Sequence, residues 1–160
     1  MQTTVLTIST SVARGDSEDI SGRLLAELAT AAGAEIVASE VLADDRDQIE
    51  ERLRHHVASG VTFIFTTGGT GLTPDDVTPE ATRAVIDREA PGYAETMRAQ
   101  SLSHTPLGIL TRGVSGVAER TLIINFPGNP KAISQLFPIV AATLSHAAAQ
   151  LRREGGRPAP

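Results

Sequence analysis

A glycine-rich run beside two aspartates is the part of this sequence whose residue types best fit a chemical role. Thr66-Thr67-Gly68-Gly69-Thr70-Gly71 follows the apolar segment 61–65 and precedes Asp75-Asp76. Three glycines in four positions allow positive φ angles and leave no Cβ in the way, so successive backbone N–H groups can converge on phosphate oxygens. Because open α/β sheets bind their ligands at the carboxyl ends of strands, the run predicts an anion-binding loop.

The glycine run alone does not identify a ligand, because a plain tight turn would explain its glycines equally well. It lacks both the G-x-x-x-x-G-K-S/T and the G-x-G-x-x-G spacings of familiar nucleotide-binding loops. A second turn, Pro127-Gly128-Asn129-Pro130, follows another apolar run, and a parallel sheet would bring both turns to one edge. Lys131 directly follows this second turn and either contacts a phosphate as a point charge or begins a surface helix. Arg98 and Arg112 are weaker candidates for a phosphate contact.

Composition limits the classes of protein and partner to consider. The chain has 160 residues, no cysteine and a net charge of −5 without a basic block. The lack of cysteine excludes disulfides, thiolate zinc sites and a cysteine nucleophile, and the missing basic block argues against a nucleic-acid partner. With no long apolar run and no recognisable secretory leader, we expect a soluble cytoplasmic protein without membrane segments. The length predicts a single domain over residues 1–153, followed by a disordered tail, 154–160.

Apolar periodicity predicts alternating strands and helices. Strands are expected over residues 3–8, 35–41, 61–65 and 121–126, with a short pairing strand within 112–119, and helices over residues 18–32, 46–58, 78–89, 93–101 and 132–152. Thr78 should cap its helix, with Pro79 in the first turn, and Pro138 should kink or divide the last helix. The alternation implies a mostly parallel sheet covered by helices on both faces.

Three longer segments carry a resemblance to a known family. One is the glycine run with Asp76-Val77-Thr78-Pro79-Glu80-Ala81-Thr82, and the others are residues 88–98 and 121–132. Together they are similar to the molybdopterin adenylyltransferases, the MogA/MoaB group related to the gephyrin G domain, and the similarity spans almost the whole chain. The resemblance implies a three-layer α/β/α sandwich with a mostly parallel sheet, assembled into trimers or hexamers.

The resemblance also implies a reaction and a set of site residues. The reaction transfers the adenylyl group of MgATP to the terminal phosphate of molybdopterin, a dithiolene pterin, and releases pyrophosphate, after which a downstream enzyme inserts molybdate. The two acids associated with activity fall on Asp44 and Asp76, which are also the candidate Mg²⁺ ligands. The residues expected to bind substrate are Thr67, Gly68, Gly69, Thr70, Gly71, Thr78, Ser101, Pro127, Gly128, Asn129 and Lys131.

Elementary phosphate chemistry constrains what the two acids do. The attacking group is a phosphate monoester whose second pKa is about 6, so it is mostly dianionic near neutral pH and hardly needs a general base. Transfer at phosphorus depends on positioning and charge neutralisation, which favours Mg²⁺ binding, or orientation of metal-bound water, for Asp44 and Asp76. Without such a site, Asp76 would be a favourable charge at a helix start, and Asp44 a solvated loop acid like Asp45 and Asp47.

Two departures from the family pattern keep a second hypothesis open. Thr10 stands where the family has an acid and cannot hold a metal as an anion would, and Ala43 replaces a proline before Asp44. A non-catalytic molybdopterin-binding or assembly module of the same fold is therefore the alternative, and an enzyme that uses ATP with another acceptor is a third hypothesis. The four histidines have no ligand spacing, so surface or packing roles are expected for them.

Overall fold

The computed structural model describes residues 1–153, which form a six-stranded sheet with helices on both faces. The strands are β1 (Gln2–Ile8), β2 (Glu35–Leu42), β3 (Phe63–Thr67), β4 (Arg88–Glu89), β5 (Ser115–Ala118) and β6 (Thr121–Phe126). The helices are α1 (Thr10–Ala13), α2 (Ile20–Ala31), α3 (Arg46–Ala58), α4 (Thr78–Val85), α5 (Gly92–Leu102), α6 (Pro130–Ala141) and α7 (Leu144–Arg152), with a 3-10 helix, Pro106–Leu110, between α5 and β5. The tail predicted to be disordered, residues 154–160, lies outside the described residues.

The sheet is mostly parallel, as the sequence predicts. Its strand order is β2-β1-β3-β6-β5-β4, and the first four of these strands are parallel to one another. β5 pairs antiparallel with β6, and the two-residue β4 pairs antiparallel with β5. The carboxyl ends of β1, β3 and β6 therefore lie side by side at one end of the sheet.

Two apolar cores lie on the two faces of the sheet, because successive strand residues point to opposite sides. Phe63 and Phe65 pack with buried residues of α2, α6 and α7, whereas Ile64 packs with those of α3 and α4. The ring centroid of Phe65 lies 5.7 Å from that of Phe126 and 6.1 Å from that of Phe137, so all four phenylalanines of the chain share the first core. The predicted three-layer sandwich is confirmed.

The helix after the glycine run is shorter than predicted and is capped differently. α4 ends at Val85, because Ile86 is extended and Arg88–Glu89 pairs with β5 instead of continuing the helix. Thr78 is the first helical residue, and the residue before it takes the cap position without a side-chain hydrogen bond. The buried hydroxyl of Thr78 instead donates to the carbonyl oxygen of Gly68 at 3.0 Å. The predicted cap and the predicted helix end are therefore both wrong.

The long terminal helix is divided, but not at its proline. α6 continues through Pro138 to Ala141, and α7 begins at Leu144 after a bend of 56°. Thr143 donates both its backbone N–H, at 3.0 Å, and its hydroxyl, at 2.9 Å, to the carbonyl oxygen of Val140. These bonds follow the end of α6 at Ala141, three residues after the proline, so the predicted division is confirmed and its predicted position is wrong.

Within residues 1–153, no single helix is long and apolar enough to cross a membrane. α6 and α7 would reach that length and composition only together, across their bend. Their buried residues, among them Phe137 and Leu144, belong to the core that the phenylalanines form.

Candidate active site

The candidate site lies where β1, β3 and β6 end. The loop after β3 contains the glycine run, and the turn after β6 contains Pro127, Gly128 and Asn129. The backbone N–H of Gly68 donates to the carbonyl oxygen of Phe126 at 3.3 Å, and a Cβ placed on Gly128 would lie 3.3 Å from the Cα of Gly68. The structure thus brings the two turns together at one end of the sheet.

Two different structural constraints explain why the run has glycine at these three positions. Gly68 and Gly69 have φ angles of +96° and +63°, which side-chain-bearing residues rarely adopt. A Cβ on Gly68 would lie 2.2 Å from the carbonyl oxygen of Ile8. Gly71 is not among the glycines with positive φ, but a Cβ there would lie 2.8 Å from Oδ2 of Asp76. Backbone conformation therefore requires two of the glycines, and a neighbouring carboxylate requires the third.

Asp44 follows β2 and is held by Thr10, the first residue of α1, a short helix that periodicity does not predict. Oδ2 of Asp44 accepts the backbone N–H of Thr10 at 2.9 Å and its hydroxyl at 2.8 Å. The backbone N–H of Asp44 donates back to Oγ1 of Thr10 at 3.0 Å. Oδ1 lies 3.3 Å from the position of a Cβ on Gly69. Thr10 therefore orients the acid, and the second carboxylate oxygen faces the glycine run.

Asp76 is held from within its own loop. Its Oδ2 accepts the backbone N–H of Thr73 at 2.9 Å and the hydroxyl of Thr73 at 2.7 Å. Burial alone would raise the pKa of Asp76, but the hydrogen bonds from Thr73 and from the backbone of Gly71, with the positive charge of Arg112, outweigh it and hold the pKa below its usual value. The carboxylate is therefore ionised at neutral pH.

The two acids approach the same loop, which suits a hydrated Mg²⁺ better than a closed protein cage. Asp44 approaches Gly69, and Asp76 approaches Gly71. Among the residues that the structure describes, no group of three or more histidine, aspartate or glutamate side chains could hold a metal ion. Mg²⁺ at nucleotide sites commonly uses one or two carboxylates and completes its shell with phosphate oxygens and water. The donor set of Asp44 and Asp76 fits that mode of binding.

A cavity of about 350 Å³ lies between α5, the 3-10 helix and the beginning of α6. This volume is typical of a site for a small organic molecule. Four residues that the resemblance assigns to substrate binding line it: Ser101, Pro127, Asn129 and Lys131. Arg98 also lines the cavity, as does His104, to which the sequence gives no ligand spacing. Lys131 and Arg98 bring positive charge to this cavity.

The side chains of three predicted threonines form part of the loops themselves. Thr67 is buried and donates its hydroxyl to the carbonyl oxygen of Pro127 at 2.8 Å, as Thr78 does to that of Gly68. Thr70 is also buried, and its hydroxyl lies 3.4 Å from the hydroxyl of Thr111. These side chains therefore shape the turns that a ligand would meet.

Residues 111–113 join the cavity to the glycine run. Thr111 and Gly113 line the cavity, and the backbone N–H of Arg112 donates to the carbonyl oxygen of Thr70 at 2.8 Å. Arg98 donates from Nη1 to the carbonyl oxygen of Gly113 at 2.9 Å. The segment is neither helix nor strand, so periodicity gave no sign of its place in the site.

Comparison with known families and proteins shows which family this chain resembles. The family model described as "Probable molybdopterin binding domain" matches residues 4–146. The "Molybdenum cofactor synthesis protein cinnamon" of Drosophila melanogaster is 38% identical over 146 residues, which are 89% of this chain and 24% of that protein. The chain thus corresponds to about a quarter of the Drosophila protein. A molybdopterin adenylyltransferase of Helicobacter pylori is 37% identical over 143 residues, 85% of this chain and 79% of the relative.

Solved structures lead to the same family. A structure described as the molybdopterin biosynthesis enzyme MoaB from Thermus thermophilus superposes with a TM-score of 0.82 at 39% sequence identity. The superposition covers 92% of this chain and 96% of the other. Because the family model spans most of the chain, the protein belongs to the molybdopterin-binding domain family of molybdenum cofactor biosynthesis.

Proposed function

We propose that this protein is a molybdopterin adenylyltransferase, which transfers the adenylyl group of ATP to the terminal phosphate of molybdopterin. The observation that carries the proposal is that Asp44 and Asp76 both approach the glycine run, beside a cavity of about 350 Å³. The glycine run offers phosphates its backbone N–H groups other than those of Gly68 and Gly71, which already donate to Phe126 and to Asp76. The two carboxylates would hold Mg²⁺, and the cavity has space for a ring system. The name of the Helicobacter relative supports the same activity.

The proposed reaction forms one bond to phosphorus and breaks another. An oxygen of the terminal phosphate of molybdopterin attacks the α-phosphorus of ATP, and the bond from this phosphorus to the oxygen that bridges to the β-phosphate breaks. Pyrophosphate leaves with the electron pair of that bond. No proton has to be removed first, because the phosphate monoester is mostly dianionic near pH 7. The residues act by positioning and charge neutralisation, to which Mg²⁺ held by Asp44 and Asp76 would contribute.

We place the pterin in the cavity and the phosphates at the glycine run. Lys131 and Arg98 line the cavity, and their charges reduce the repulsion between an anionic substrate and a chain with a net charge of −5. Ser101 and Asn129 add hydrogen-bonding groups to the same lining. In this placement the reacting phosphates lie between the cavity and the two acids.

The proposal extends to a homotrimer or hexamer in the cytoplasm that passes its product to a molybdate-inserting enzyme. Exposed aliphatic side chains beside the cavity support an assembly, since Leu107 and Ile109 are 67% and 72% exposed. Contiguous exposed apolar surface is typical of protein interfaces. Light scattering on the purified protein tests the assembly, and a monomer at all concentrations would contradict it.

The activity is tested by mixing the purified protein with MgATP and molybdopterin and detecting the adenylated pterin by mass spectrometry. Product and pyrophosphate should form only when Mg²⁺ and both substrates are present. Asp44→Ala and Asp76→Ala should form none, whereas the exposed neighbours Asp47 and Asp75 provide matched controls whose alanine variants should stay active. Consumption of ATP without molybdopterin would favour an enzyme with another acceptor.

A non-catalytic molybdopterin-binding module is the second candidate, and Thr10 is the observation that favours it. A threonine stands where the family has an acid, and its hydroxyl is bonded to Asp44. Such a module would bind molybdopterin tightly without forming product. In that case Thr10→Asp is the next variant to test, because it restores the acidic side chain of the family pattern.

A further inference from the structure

One arginine holds both ends of the loop that carries Asp76. Arg112 lies in the irregular segment before β5, where Nε donates to the carbonyl oxygen of Gly71 at 2.8 Å. Its Nη2 donates to the carbonyl oxygen of Asp76 at 2.6 Å. A single planar guanidinium therefore fixes the first and the last residue of the six-residue loop 71–76.

Glu80, in the first turn of α4, fixes the guanidinium in turn. Nη1 of Arg112 donates to Oε1 of Glu80 in a short ion pair, and Nη2 lies 3.4 Å from Oε2. The hydrogen bond from Arg112 lowers the pKa of Glu80, although burial opposes the shift, so the pair is ionised at neutral pH. Nε, Nη1 and Nη2 of Arg112 therefore each have a protein acceptor, either Glu80 or the carbonyl oxygen of Gly71 or Asp76.

We propose that Arg112 is a positioning residue that sets the Asp76 carboxylate and does not itself bind a phosphate. The loop transmits its effect, because Oδ2 of Asp76 is bonded to Thr73, inside the segment whose two ends Arg112 holds. Gly71 belongs to the same arrangement, since a Cβ there would meet that oxygen at 2.8 Å. The catalytic consequence rests on the proposed function, whereas the ordering of the loop does not.

Substitution by lysine separates this role from a phosphate contact. The lysine ammonium is a compact charge that can meet either Glu80 or a phosphate, but it cannot reach both loop carbonyl oxygens as the guanidinium fork does. If Arg112 positions the loop, Arg112→Lys should behave like Arg112→Gln. If Arg112 supplied only positive charge to a phosphate, lysine would largely restore activity.

The test combines hydrogen–deuterium exchange of peptides covering residues 68–77 with steady-state kinetics. Both Arg112 variants should show several-fold faster exchange in these peptides, unchanged exchange in α2, and a fall in kcat of about 10- to 100-fold with little change in KM for molybdopterin. Glu80→Gln should shift both readouts in the same direction by less. Arg23→Gln is the matched control, because Arg23 also donates Nε to a carbonyl oxygen, that of Asp19 at 2.8 Å, and pairs with Glu18 away from the loop.

Two results would overturn the proposal. One is exchange at the wild-type rate in Arg112→Gln combined with a raised KM for ATP, which is the signature of a phosphate contact. The other is wild-type exchange and kcat in Arg112→Lys. If Arg112→Gln fails to fold, the exchange rates and kcat of Glu80→Gln and Arg112→Lys still decide whether Arg112 positions the loop or contacts a phosphate. If the wild-type protein forms no adenylated product, the proposed function fails, and the exchange of residues 68–77 still decides whether Arg112 orders the loop.

Discussion

The two acids of the candidate site are held in place by different kinds of structure. Asp44 is bonded to Thr10, 34 residues earlier in the chain, so its position depends on the side-by-side ends of β1 and β2. Asp76 is bonded to Thr73, three residues earlier, in a loop whose ends Arg112 holds. One acid thus depends on long-range strand pairing and the other on a local turn with an ionic brace.

The strand that leads to Asp44 has an ionic support of its own. Glu40, on β2, accepts hydrogen bonds from Arg52 at 2.8 and 2.6 Å, and its Oε1 lies 2.8 Å from Nε2 of His56. Because an ionised carboxylate only accepts, Nε2 carries the hydrogen and Nδ1 accepts from the hydroxyl of Thr4, 3.3 Å away. This buried neutral imidazole links β1, β2 and α3, and the Asp76 loop has no histidine among its contacts in the described chain.

Replacing either acid by its amide should have the largest effect on turnover. Asp44→Asn and Asp76→Asn keep the shape of the side chain and remove its charge, so each should lower adenylyl transfer by about a hundredfold or more. Fold and assembly should stay intact in both, which circular dichroism and light scattering would show. Unchanged turnover in Asp76→Asn would remove that residue from the mechanism and leave Asp44 as the only acid of the proposed site.

Removing the hydroxyl that holds each acid should have a smaller and unequal effect. Thr10→Val removes one bond to Oδ2 of Asp44 and leaves the N–H of Asp44 without its partner, so we expect turnover to fall about 10- to 100-fold. Thr73→Val removes one bond but keeps the backbone N–H donor at 2.9 Å, so the loss should stay below about tenfold.

The ratio of the turnover of Thr10→Val to that of Thr73→Val tests directly whether the two acids depend to different degrees on their hydroxyl partners. Turnover should be measured at saturating substrates beside the Tm of each variant, so that a loss of folding is not taken for a loss of orientation. If Thr73→Val is as damaging as Thr10→Val, the backbone donors do not hold Asp76, and the local turn needs its hydroxyl as much as the long-range contact does.

The sequence predicted the scaffold well wherever a pattern is local. The helix Arg46–Ala58 was predicted with its observed bounds, because Ile49, Leu53 and Val57 recur at helical spacing and are buried on one face. By contrast, the pairing of Arg88–Glu89 with β5 leaves no signal, since two exposed polar residues carry no periodicity. Tertiary pairing decided that segment, and it shortened the predicted helix.

The sequence also predicted some parts of the candidate site better than others, because local patterns can be recognised and tertiary contacts cannot. The glycine run and Asp76 stand close together in the sequence, so residue types alone indicated an anion-binding loop there, and the family resemblance added an active role for Asp76. Asp44 was singled out only by the family resemblance, because its partner Thr10 lies 34 residues earlier, at the start of α1. Arg112 was predicted only as a candidate phosphate contact. Its bonds to the carbonyl oxygens of Gly71 and Asp76 could not be predicted, because every residue has a main-chain carbonyl and the residue type does not show which one accepts.

Alanine in place of two of the glycines should separate the backbone of the loop from its carboxylates. Gly69→Ala puts a side chain at φ +63°, 2.3 Å from Oγ1 of Thr78, and should lower the free energy of unfolding by about 1–3 kcal/mol. At Gly71→Ala the nearest atoms to the new Cβ all belong to the side chain of Asp76, so stability should change by less than about 1 kcal/mol while turnover falls. Urea denaturation with kinetics measures both, and equal losses of stability would show that Gly71 is also needed for backbone conformation.

Mild acid should loosen the support of Asp44 before that of Asp76, with the smallest effect of the series. Burial lowers the pKa of His56 below 6.5, against the opposing effect of Glu40, so the unfolded chain binds more protons as the pH falls through 6.5. The stability that this neutral imidazole provides is present above pH 6.5 and declines below it, and Tm should fall by a few degrees at most.

Exchange protection, corrected for intrinsic rates, should drop in α3 and β2 between pH 7 and pH 5 but not in residues 71–76, where the pKa of Asp76 lies below its usual value. His56→Gln should abolish this difference, and equal loss of protection in both regions of the wild-type protein would contradict the division between the two supports.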